Sequence, residues 1–147
     1  KSYKANAEKT GLEETVIVQL KYPLNDRRRQ PMPAGGLFST AGDLVPFCQM
    51  MLNGGAYRGK RYLSEEAVKE LTRKQTGANI QNGYGLGFTV AEGRFGHGGA
   101  YATNMEIDPR TGLVTIFMVQ HAGFPGKGKE SLAAFRKAAS ELYGGKK

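Results

Sequence analysis

The stretch RFGHGGAYATNMEID, residues 94–108, sets His97 among glycines just ahead of a segment that alternates like a β-strand. An imidazole can give, take or hold a proton near neutral pH. Gly96, Gly98 and Gly99 strip away the side chains that would keep a second molecule off the backbone, so a substrate could lie along the chain here. The same pattern also serves plain loops, to which glycine lends itself equally. Other chemistry-bearing groups are sparse. His97, His121 and Asp108 could be gathered round a metal, yet the two histidines stand far apart without the spacing of a metal motif, and no metal is expected. His121 reads as structural, the end of an apolar strand, and Tyr84 and Tyr101 read as core or rim residues. Cys48 is the one cysteine, which rules out an internal disulfide; its place in an apolar helical pattern marks a buried thiol.

The elements that must position His97 are those of one domain. A chain of 147 residues can bury a single core and is short for two. With 21 glycines and 39% hydrophobic residues, it should fold but carry many loops. The formal charge of +8 would suit a polyanionic partner. The basic residues are scattered, however, with Arg27-Arg28-Arg29 the one run of three and Lys146-Lys147 at the end, so a solvated surface is expected and no nucleic-acid groove. A non-catalytic interaction or polyanion-binding domain stands as the alternative reading. No apolar run reaches the ~20 residues of a membrane span. The chain begins at Lys1, not Met, and is expected to be part of something longer.

Residues 14–20, ETVIVQL, are β-branched and apolar and predict a strand. A basic loop follows, closing the loop-rich lead-in of residues 1–32. The helical part covers 33–77. Leu44, Phe47, Cys48, Met51 and Leu52 form one stripe of a 3.6-residue period. Ser39, Thr40 and Asp43 are possible N-caps, and Pro46 favours Asp43, which would place the proline in the first turn. Ser64 caps a second helix with Val68 and Leu71 as its apolar contacts. From residue 84 to 143 the period changes. Tyr84, Leu86, Phe88 and Val90 alternate, as do Tyr101, Thr103, Met105 and Ile107, and DPRTG at 108–112 is a turn. The segment from Leu113 to Gln120 is apolar at nearly every position and should be covered on both faces. A last helix carries Leu132, Phe135, Ala139 and Leu142. The order predicts an α+β fold with an antiparallel sheet.

PAGGLFSTAGDL (33–44), YGLGF (84–88), GHGGA (96–100) and IDPRTGLVTIFMVQ (107–120) resemble, in order and spacing, the C-terminal half of the serine β-lactamase and penicillin-binding-protein-like superfamily. The resemblance is to its class C β-lactamase, DD-peptidase and esterase branch. It implies a partial antiparallel sheet with a packed C-terminal helix and two helices from the helical region. It also implies acyl-enzyme hydrolysis of an ester, amide or β-lactam, a small-molecule or peptide substrate, no cofactor, and an extracytoplasmic setting, periplasmic or secreted. His97, Gly98 and Gly99 match the family's Lys-Thr-Gly or His-x-Gly strand, with His97 orienting the reacting hydroxyls and Ala100 N–H donating to the oxyanion. The nucleophilic motif is absent. None of the five serines has lysine three residues on, and no tyrosine has asparagine two residues on. The chain alone should therefore be inactive, an expected fragment of a serine hydrolase. Gly98 also stands where relatives carry Thr or Ser, which favours an esterase or peptidase over a β-lactamase. Without the strands that flank it in the superfamily, Leu113 to Gln120 is expected to self-associate as an oligomer.

Overall fold

The computed structural model describes all residues except 36, 120, 123–125, 146 and 147. Strands β1 (Ser2–Ala5) and β2 (Leu12–Thr15) form an antiparallel ladder that closes with Ser2 opposite Thr15. Past that point the β-branched run finds no partner. The strand expected over residues 14–20 therefore ends at Thr15, and Val18–Leu20 form a 3₁₀ turn. Of this run, Ile17 is buried while Val16 and Val18 are exposed.

Helix α1 (Ala41–Leu52) is capped by Thr40, not by Asp43. Thr40 Oγ1 accepts from Asp43 N–H at 3.2 Å and the Asp43 carboxylate accepts from Thr40 N–H at 3.2 Å. This reciprocal box satisfies two donors at once and outweighs the preference for proline in the first turn. Pro46 consequently lies within the helix. A hairpin of β3 (Ala56–Tyr57) and β4 (Lys60–Arg61) leads to α2 (Glu65–Thr72), whose cap Ser64 Oγ accepts from Ala67 N–H at 3.1 Å.

The sheet that carries His97 has four antiparallel strands in chain order: β5 (Thr89–Ala91), β6 (Arg94–Gly98), β7 (Asn104–Asp108) and β8 (Leu113–Phe117). Glu92 and Gly93 join β5 to β6 with φ of 53° and 77°, the pair of positive values that matches the twist of a two-residue hairpin. The alternation read over residues 84–90 yields a strand only from Thr89. Before it, Gly85 N–H donates to Phe88 O at 2.8 Å and the chain turns. The strand expected from residue 101 likewise starts at Asn104, because Gly99 to Thr103 close a turn. β8 stops at Phe117, and Gln120, the expected end of that strand, lies outside the described residues. Beyond it β9 (His121–Ala122) pairs in parallel with β1, and a 3₁₀ turn leads into α3 (Ser131–Tyr143).

The core lies between α1, α2 and one face of this sheet. Cys48, Met51, Val68, Phe88, Phe95 and Ile107 are buried together, with Val114 and Ile116 of β8 packed against them. On the opposite face of β8, Phe117 meets Phe135 of α3 with ring centroids 5.4 Å apart. The strand is thus covered on both faces, as its uniform apolarity requires. Within the four-stranded sheet β8 is an edge strand, as is β5.

Candidate functional site

His97 sits near the end of β6, opposite Met105 of β7. Its position depends on Gly96. A β-carbon there would collide with the Met105 carbonyl and lie 2.9 Å from Glu106 Cα, so glycine lets β7 approach closely. Gly98, by contrast, has ordinary space, its nearest neighbour being Asn104 Nδ2 at 3.5 Å. At Gly99 a β-carbon would strike Thr103 Oγ1. The glycines of the motif therefore serve the fold at 96 and 99 and leave open backbone at 98.

The β6–β7 turn is held by Gly99 N–H donating to Thr103 O at 2.8 Å and Ala102 N–H donating to Gly99 O at 3.0 Å. Ala102 takes φ 64°. Between them Ala100 is exposed, and its N–H has no acceptor among the described residues. Gly99 and Ala100 line a cleft of about 420 Å³ whose other walls include Ile17, Gln19, Leu37, Phe38, Tyr101 and Met118. His97 and Gly98 do not line it. The four residues singled out from the sequence are thus contiguous on one strand end and turn, and the latter two line the cleft.

His97 has a partner that sequence reasoning missed. Tyr84 Oη lies 2.7 Å from His97 Nε2, and Gly98 O lies 2.7 Å from Nδ1. The two rings meet edge to face, 5.8 Å between centroids.

The other chemical groups are otherwise engaged. Asp108 accepts from Arg110 N–H at 2.9 Å and pairs with its guanidinium at 3.0 Å. Burial pushes its carboxyl up, but the hydrogen bonds from Arg110 and from Thr111 N–H outweigh this and hold it below the usual carboxylate range. Among the described residues no three His, Cys, Asp or Glu side chains are arranged to hold a metal ion. Burial pushes the Cys48 thiol up, which leaves it a poor nucleophile. One Tyr-x-Ser spacing occurs, Tyr62-Leu63-Ser64, and it is structural, because Ser64 caps α2. In the basic loop Arg28 is paired with Asp26 at 2.6 Å, and Arg29 donates to the carbonyls of Leu24 and Gln19.

The sequence profile of a family described as Beta-lactamase matches residues 3–139. The uncharacterized protein MT1414 of Mycobacterium tuberculosis strain CDC 1551 and protein Rv1367c of strain H37Rv are each 32% identical to this chain over 137 residues, covering 71% of it and 34% of their own length. The chain thus spans about a third of the length of these curated relatives. Among solved structures, a putative 6-aminohexanoate-dimer hydrolase from Bacillus anthracis superposes with a TM-score of 0.57 at 24% identity, over 71% of this chain and 29% of its own. That likeness concerns the fold.

Proposed function

The chain belongs to the Beta-lactamase family, and we propose that it forms one wall of the active site of a serine hydrolase, with the nucleophile supplied from outside these 147 residues. Such an enzyme cleaves an ester, amide or β-lactam in two steps. A serine oxygen attacks the carbonyl carbon, the leaving group departs with a proton, and water then releases the acyl group. Each tetrahedral transition state carries negative charge on the former carbonyl oxygen. A fixed N–H aimed at that oxygen stabilises it without reorganising.

The observation that carries this reading is the N–H of Ala100, without an acceptor among the described residues, in the wall of the 420 Å³ cleft and within the turn closed by the Gly99–Thr103 and Ala102–Gly99 bonds. In this reading Ala100 is one oxyanion donor, Gly98 and Gly99 offer backbone to the substrate, and His97, whose ring nitrogens meet Tyr84 Oη and Gly98 O, orients the reacting groups through the Tyr84 hydroxyl. Two facts support a nucleophile from elsewhere: no serine is followed at the third position by lysine, and the match with the curated relatives covers 34% of their length. Gly98 in place of a hydroxyl residue supports an ester or peptide substrate over a β-lactam. We also propose that the edge strand β8 mediates self-association, since an unpaired, uncharged edge is a template for a second strand.

The test is made in a longer form of the protein that contains a Ser-x-x-Lys segment. Ala100→Pro, which deletes the N–H, should lower kcat by roughly 10²–10³-fold, as loss of one oxyanion donor does. An unchanged kcat in a folded variant would remove Ala100 from the site.

A further inference from the structure

Both ring nitrogens of His97 are occupied, and their partners fix where the proton sits. Gly98 O, 2.7 Å from Nδ1, is an acceptor with no hydrogen to give, so Nδ1 must carry the N–H. A neutral imidazole has one such hydrogen. Nε2 is then the lone-pair nitrogen, and Tyr84 Oη, 2.7 Å away, must be the donor. The tyrosine is itself held in place: Gln75 N–H donates to Tyr84 O at 2.8 Å, and Leu86 N–H donates to Leu71 O at 2.9 Å. These bonds tie the turn at residues 84–88 to the end of α2, while Phe88 is buried against Phe95 with ring centroids 5.4 Å apart.

The geometry points to Tyr84 as the positioning residue for His97: its hydroxyl holds the neutral imidazole in the Nδ1–H form. It also leaves the phenolic oxygen, not a ring nitrogen, as the polar atom the pair presents. With its hydrogen committed to Nε2, that oxygen can only accept. Its counterpart in a complex is therefore a hydrogen-bond donor, a hydroxyl or an N–H, and not a carboxylate. The functional meaning rests on the active-site reading above, but the tautomer does not.

The experiment is a long-range ¹H–¹⁵N correlation spectrum of the uniformly ¹⁵N-labelled 147-residue chain, at a pH where the imidazoles are neutral. His121→Gln assigns the second histidine. The expected result is a protonated Nδ1 and an unprotonated, pyridine-type Nε2 for His97. Tyr84→Phe, which keeps the ring and removes the hydroxyl, should shift Nε2 toward the protonated range, because a free imidazole prefers the Nε2–H form. A protonated Nε2 in the unaltered chain would overturn the tautomer; nitrogen shifts unmoved by Tyr84→Phe would leave the Gly98 carbonyl as its sole holder and overturn the role assigned to Tyr84. Should Tyr84→Phe lose its dispersed amide spectrum through unfolding, the tautomer of the unaltered chain decides alone. The active-site reading fails separately: a His97→Ala change without effect on turnover would refute it and leave the tautomer standing.

Discussion

The Met105 carbonyl occupies the space where residue 96 would place a β-carbon. This contact brings β7 close enough to set His97 at its register position opposite Met105. Gly96→Ala should therefore destabilise the fold by about 1–3 kcal/mol, the usual cost of overpacking. Gly98→Ala, whose β-carbon would meet Asn104 Nδ2 at 3.5 Å and Thr103 O at 3.8 Å in ordinary contact, should stay within ~0.5 kcal/mol of the unaltered chain, as for an exposed site. Urea denaturation of the two variants checks this ranking, and equal losses would contradict it.

Ile107 and Cys48 are the two fully buried side chains of the core, both at 0% exposure. Ile107→Ala should cost about 2–5 kcal/mol, against the marginal stability of a domain this size. Cys48, buried with its thiol pushed up, should not react with a thiol reagent until the chain unfolds. Stoichiometric modification under native conditions would show the core to be open.

These buried positions were legible in the sequence because a helix states its buried face by period. Cys48 and Met51 fall on the stripe read for α1, and Ser64 caps α2 as expected. Where two local rules competed, the sequence could not arbitrate. At α1 the Thr40–Asp43 box prevails over the proline preference. The alternation at residues 84–88 was period without a strand, since the segment forms only a single bridge of Tyr84 to Thr89 and turns. Strand β6 was hidden from the period because Phe95 and Gly96, on opposite faces, are both buried. His97, Gly98, Gly99 and Ala100 were visible as a glycine-framed motif. Tyr84 was not, since only the folded sheet brings it to a histidine thirteen residues away.

Asp108 supplies a pH dependence. Its carboxyl lies below the usual range in the folded chain, so the unfolded chain binds its proton first as pH falls. Its contribution is fully present above the unfolded value of ~3.9 and is lost as pH drops through the lower folded value. The stability difference between the chain and Asp108→Asn should be level near neutrality and shrink below about pH 4. Denaturation across that window measures it, and a difference constant into strong acid would contradict the assignment.

The edge strand β8 should make the chain self-associate with rising concentration. Blocking the edge with a lysine at Thr115 or Ile116 would bury its ammonium, because Thr115 is buried and Ile116 packs on the core. Sedimentation velocity over a concentration series is the cleaner test. A monomer at every concentration, with strong amide protection along β8, would show that the chain covers its own edge.

The claim that this chain is an active-site wall without its nucleophile is tested most directly by intact-mass analysis of the 147-residue chain after treatment with a fluorophosphonate. No covalent adduct is expected at any of the five serines, and no burst with nitrocefin or a p-nitrophenyl ester should accompany the treatment. A stoichiometric phosphonyl adduct on one serine would show that the chain holds a nucleophile of its own.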